Sequence, residues 1–128
     1  MSVISTKPYF LRALHQWCSD NGYTPYLVVS VDSHTRVPQE FVRDGEIVLN
    51  IDNHATRGLT FENEWIFFSA RFAGQSREIA VPVARVVSLM AKETGEGMTF
   101  IVEDSLSPEP EATEATPPRG RPNLKIIK

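Results

Sequence analysis

From Glu103 to Pro118 the chain carries five carboxylates, four prolines and no aromatic residue. Such a stretch cannot bury enough apolar surface to offset the entropy of ordering it, which predicts a disordered linker and not an element of a fold. Any core must therefore be assembled from residues 1–102, enough for one small domain and not for two. Beyond the linker, residues 119–128 read Arg-Gly-Arg-Pro-Asn-Leu-Lys-Ile-Ile-Lys, basic and apolar at once. Large aliphatic side chains at Leu124, Ile126 and Ile127 are a liability unless something covers them. One alternative is a short strand that folds back onto the body, but a strand the fold needs would hardly be separated from it by so polar a linker. The pattern predicts a docking peptide for another protein, carried by Arg119, Arg121, Pro122, Leu124, Lys125, Ile126, Ile127 and Lys128.

Charge is divided by region. Residues 1–102 hold nine Lys/Arg against eleven Asp/Glu, the linker is purely acidic, and the last ten residues carry four positive charges, within an overall net charge of −3. A slightly acidic body lacks the basic footprint of a nucleic-acid binder, so the tail's charge is better matched to a protein partner. No apolar run approaches the ~20 residues of a membrane span, and the N-terminus has no charged-then-apolar signal pattern. The chain reads as cytoplasmic, in keeping with a single cysteine, Cys18, that can form no internal disulfide.

Along the body, Pro8 suits the first turn of a helix, Ser5 and Thr6 are candidate caps, and Asn21-Gly22 is a stop. Tyr9, Phe10, Leu11, Ala13, Leu14 and Trp17 make this helix apolar over more than one face, so a second contact is expected, most economically a symmetric homodimer; the alternative is a covering loop. The period then changes to two. Tyr26–Asp32 is β-rich, Gln39–Arg43 and Glu46–Ile51 flank Asp44-Gly45 as a hairpin, and Trp65–Phe72 pairs with Arg77–Val81 around Ala73-Gly74-Gln75. Val83, Val86, Val87 and Met90 recur at helical spacing and predict a short helix ending near Gly95, before a last strand, Met98–Val102. The fold class is α+β, an N-terminal helix followed by a curved antiparallel sheet or small barrel.

The strand Trp65–Phe72 is apolar on both faces. Ile66, Phe68, Ala70 and Phe72 alternate with Trp65, Phe67, Ser69 and Arg71; Ile47, Leu49 and Ile51 likewise alternate with Val48 and Asn50. If the first sets fill the core, Val48, Asn50, Phe67, Ser69 and Arg71, with Arg77, line a shallow surface of peptide-groove character; the alternative is a two-sided core strand. Ala70 and Ala73 join this candidate site if the strand end twists or bulges.

Catalytic and metal chemistry find little support. His15 and Cys18 sit three apart on the helix without a third group, and a helix-borne cysteine is far more often packing than nucleophile. His34 and His54 fall in expected loops without partners at ligand spacing, and no phosphate-binding or nucleophile-elbow motif is present. Neither an enzyme, a metal nor a cofactor is expected.

Several segments, in order, resemble the stringent starvation protein B (SspB) family of adaptors for the ClpXP protease: Pro8-Tyr-Phe-Leu-Arg-Ala13, Thr24-Pro-Tyr-Leu-Val-Val29, Arg43-Asp-Gly-Glu-Ile-Val-Leu-Asn-Ile51, Ser69-Ala-Arg-Phe72, Val81-Pro82 and Arg121-Pro-Asn-Leu-Lys-Ile-Ile-Lys128. The resemblance implies an Sm-like β body that dimerises through its first helix and binds the ssrA tag of stalled nascent chains and an anti-sigma factor fragment. It further implies that the C-terminal peptide docks on the zinc-binding N-terminal domain of ClpX. On this reading residues 1–102 bind substrate and dimerise, 103–118 are linker, and 119–128 dock. The other reading is an Sm-like RNA-binding regulator, which the acidic body disfavours.

Overall fold

The structure, a computed structural model, describes residues 5–104; the rest of the linker and the docking peptide lie outside the described residues. It opens with the expected helix, α1 (Lys7–Asn21), with Pro8 in the first turn, where its missing amide costs nothing. Thr6 caps through its backbone: its carbonyl accepts from the amides of Tyr9 and Phe10 at 3.0 and 3.1 Å. The helix ends at Gly22 with φ of 70°, which lets Gly22 donate to Ser19 O and Tyr23 to Cys18 O, so the last carbonyls are satisfied.

Among the described residues seven strands follow: β1 (Pro25–Ser30), β2 (Glu46–Asn50), β3 (Thr56–Phe61), β4 (Trp65–Phe72), β5 (Gln75–Pro82), β6 (Val86–Ala91) and β7 (Gly97–Thr99). They form two antiparallel sheets, a four-stranded one in the order β2-β1-β6-β7 and a three-stranded one in the order β3-β4-β5. One core joins both sheets and the helix: Leu27, Val29, Ile47, Leu49 and Leu89 from the first sheet, Ile66, Phe68, Ile79 and Val81 from the second, Leu11 and Cys18 from α1. The period-two alternation holds in β2 and β4, where Ile47, Leu49, Ile66 and Phe68 are buried and Val48 and Phe67 exposed.

Several expectations are corrected. Gln39–Phe41 is a short 3-10 turn and not a hairpin arm. Asp44-Gly45 does make a tight turn, both residues at positive φ, but it closes only the Arg43–Glu46 pair, and β2 pairs with β1 instead. Phe41 is held elsewhere, its ring 5.4 Å from that of Phe72. The helix expected over Val83–Gly95 is a 3-10 turn (Val83–Arg85) followed by strand β6. There β-branched stiffness and pairing with β1 outweigh an i, i+3, i+4 apolar spacing that a buried strand also satisfies. The last strand is Gly97–Thr99, shorter and earlier than Met98–Val102. Strand β3, not anticipated, is polar at its start, carries Leu59 and Phe61 against the core at its end, and is interrupted by Gly58, around which its pairing with β4 shifts register.

Candidate functional site

The outer face of the three-stranded sheet carries the candidate site, because β4 lies at its centre and presents its second set of side chains there. A cleft of about 580 Å³ opens at the end of this face where β4 turns into β5. Strand β4 contributes Ser69, Ala70 and Arg71 to it, and Ser76 comes from β5 opposite Arg71. Its other wall is Thr56 and Arg57 of β3, paired with Ala70 and Ser69, together with His54 and Ala55 just before it. Ala70, on the core side by alternation, is only partly buried and reaches this cleft.

The structure thus brings together Ser69, Ala70 and Arg71 of the sequence-predicted residues. Phe67 stands two residues along on the same outer face, its ring stacked on Trp65 with 5.8 Å between centroids and 14° between planes. Ala73 sits in the two-residue turn that closes β4 and β5, and the Arg71 guanidinium donates to the carbonyl of Gly74 there at 3.2 Å. Arg77 pairs across from Ala70 and donates to the Glu40 carboxylate at 3.1 Å, a hydrogen bond that lowers the Glu40 pKa below its ordinary value. Val48 and Asn50 project from β2, in the other sheet, and neither lines the cleft. Sequence reasoning missed His54, Ala55, Thr56, Arg57 and Ser76, since these small or polar residues have no apolar alternation of their own and the apolar pair of β3, Leu59 and Phe61, lies beyond Gly58.

The cleft offers mostly hydrogen-bonding and charged side chains. Hydroxyls and two guanidinium groups line one end, and an aromatic pair stands at the other end of the same face, the mixture that holds an extended peptide. The Ser69 hydroxyl donates to Glu78 at 2.8 Å, and His54, paired with Asp52 at 3.0 Å, has a side chain 97% exposed to solvent. The partner of that serine is therefore a carboxylate and not a histidine. His15 and Cys18 form no dyad either: His15 Nε2 meets the carbonyl of Ile51 at 2.8 Å, and Cys18 is a fully buried core residue. Burial, reinforced by Glu93 and Asp52, raises the thiol's pKa and keeps it protonated. Among the described residues no group of three or more His, Cys, Asp or Glu side chains is placed to hold a metal, and no helix is long and apolar enough to cross a membrane.

A second surface lies on α1. Tyr9 and Phe10 are 52% and 45% exposed, Ala13 is exposed, and Leu14 and Trp17 are half-buried, so an apolar flank remains uncovered by the chain's own residues as described. Leu11 is corrected here: it is fully buried in the core and is no outward position.

The described residues thus form a helix-led α+β body with a cleft at one end of the three-stranded sheet and an uncovered apolar flank on its helix. Comparison with known proteins gives the family: the sequence model of stringent starvation protein B matches residues 5–128. A stringent starvation protein B homolog of Haemophilus influenzae is 43% identical over 114 residues, covering 86% of this chain and 76% of the relative. The chain belongs to the SspB family.

Proposed function

We propose that the protein is a cytoplasmic adaptor that binds ssrA-tagged substrates, and an anti-sigma factor fragment, in the cleft of the three-stranded sheet and tethers them to ClpX for degradation by ClpXP. The observation that carries this reading is that the family match runs through the body and on to the terminal peptide, residue 128 included. The cleft supports the substrate half, with Ser69, Ala70 and Arg71 inside it, Phe67 and Ala73 beside it, and Arg77 as a flanking contact, while Val48 and Asn50 of the other sheet are left out of it. The exposed flank of α1 supports a homodimer. The adaptor hydrolyses nothing and takes no cofactor.

Tethering works through effective concentration. A flexible linker of about 16 residues spans on the order of 20–25 Å, and a contact joined through it meets its partner at roughly millimolar concentration. Two weak contacts, tag to cleft and terminal peptide to ClpX, thereby become one useful one.

The test pairs two measurements. A labelled ssrA peptide titrated into the full chain should bind, and removal of Arg119–Lys128 should leave that affinity and the melting temperature unchanged while abolishing stimulated degradation of tagged substrate. In the docking peptide, Leu124, Ile126 and Ile127 should each contribute roughly 1.5–3 kcal/mol if fully buried in ClpX, with Arg121, Lys125 and Lys128 adding a salt-sensitive part. Full delivery by the truncated chain at low concentration would remove the docking role from these residues.

A further inference from the structure

After β7 ends at Thr99, residues 100–104 form no regular structure, yet their backbone is held at four points. The amides of Phe100 and Glu103 donate to Val87 O and Ala84 O at 2.7 and 2.9 Å. The other two points are carbonyls taken by cations from distant elements. Lys7, at the start of α1, donates through Nζ to Ile101 O at 3.0 Å and to Ala84 O at 3.3 Å, and its ammonium stands 5.5 Å from the centre of the Phe100 ring. Arg85 is anchored by Ser30, donating through Nε to its carbonyl at 2.9 Å and through Nη2 to its hydroxyl at 2.8 Å, which leaves Nη1 to reach Glu103 O at 3.2 Å. Asp32 and Asp104 complete the charge around this guanidinium, at 3.6 and 3.9 Å.

Apolar packing alone does not account for this anchorage. Ile101 is 82% exposed, and Phe100 and Val102 are only half-buried. Hydrogen bonds from charged donors are about twice as strong as neutral ones, so two such contacts in five residues weigh heavily in what keeps the segment down. A half-buried ammonium costs desolvation, as the lowering of the Lys7 pKa to about 8 records, and its carbonyl partners offset that cost in place.

We propose that Lys7 and Arg85 form a two-point clamp that fixes the root of the C-terminal arm against the N-terminal end of α1. The arm then starts after residue 104 and not where β7 ends. This rests on the reading of the later residues as a docking arm. Releasing the segment would lengthen the arm from 24 to 29 residues, which lowers effective concentration by only about a quarter on a −3/2 power of length. Reach is therefore a minor effect. What the clamp sets is origin and direction: the helix that offers a flank to a second copy also holds the arm's root, so each arm of a dimer would leave from a fixed place beside the interface.

Hydrogen exchange on the full-length chain tests the clamp without any partner. In Lys7→Met, which keeps the apolar stem and removes the donor, the Phe100 and Glu103 amides should exchange on the order of tenfold faster, while Leu27 and Leu89 in the central strands keep their wild-type rates. Arg85→Lys, which cannot serve Ser30 and Glu103 at once, should accelerate Glu103 more than Phe100. If Arg85→Lys loses protection at Leu27 and Leu89 as well, Lys7→Met alone decides. Wild-type exchange at Phe100 and Glu103 in Lys7→Met, or acceleration spread equally over Leu27 and Leu89, overturns the clamp. Neither outcome touches the docking role of residues 119–128, which the truncation measures separately.

Discussion

Gly97 lies opposite Met90 in the pairing of β6 with β7, and a β-carbon placed on it would overlap the carbonyl oxygen of Leu89. The overlap is with backbone, so no rotamer change relieves it. In Gly97→Ala the three-residue β7 must move, because Leu89 is fully buried and cannot. The expected loss is about 1–3 kcal/mol, read as a lower denaturant midpoint with an unchanged far-ultraviolet spectrum. An unaltered midpoint would mean that β7 is not held this closely.

Ala73 separates binding from folding. Its φ of 52° places an L residue with a β-carbon in the left-handed region, beside Gly74 at 84°. Ala73→Gly should therefore stabilise the chain by roughly 0.5–1 kcal/mol. Ala73→Gln keeps the strain and adds a bulky polar group at the turn beside the cleft, so peptide affinity should fall while the denaturant midpoint stays near that of the wild type. Phe67→Ala should weaken the same peptide from the aromatic end of the face. Unchanged anisotropy titrations for both Ala73→Gln and Phe67→Ala would move the tag site off this sheet.

On α1, neighbouring residues should respond in opposite ways. Phe10→Glu places a charge on the exposed flank and should yield a folded monomer, seen by light scattering at the chain mass of 14.4 kDa. Leu11→Glu buries an unpaired carboxylate in the core and should unfold the chain. A wild-type chain already monomeric at micromolar concentration would leave the flank without its proposed partner.

How much was legible in the sequence follows from which signals are local. Pro8 and Gly22 delimit α1 because proline and a left-handed glycine act within one turn of the helix. The alternation through Ile47, Leu49, Ile66 and Phe68 identifies the core face because each strand has one buried side. What failed depended on partners distant in sequence. Val83, Val86 and Val87 fit a helix until β1 is known to lie alongside, and Val48 joins Phe67 in one imagined groove until the strand order puts them in different sheets. Arg57 enters the cleft only because a bulge at Gly58 sets its strand against Ser69, and no periodicity announces that.

The amine of Lys7 gives a prediction whose sign can be worked out. Burial of the ammonium, joined by repulsion from Arg85 and only partly countered by Glu103, lowers its pKa from 10.5 to about 8 in the folded chain. Between these values the unfolded chain still binds the proton that the folded chain has released. Stability must therefore rise with pH across that window. Cys18 acts in the opposite direction: burial raises its pKa above the ordinary 9.0, so from that pH upward the unfolded chain loses a proton that the folded chain keeps, and stability falls. The two slopes oppose each other in the wild type and must be separated. In a Cys18→Ala background, the melting temperature should gain on that of Cys18→Ala/Lys7→Met as pH rises from about 8 toward 10. Parallel pH profiles for the two proteins would mean that the hydrogen bonds to Ala84 O and Ile101 O offset the burial of the Lys7 ammonium in full, leaving no net shift between folded and unfolded chains.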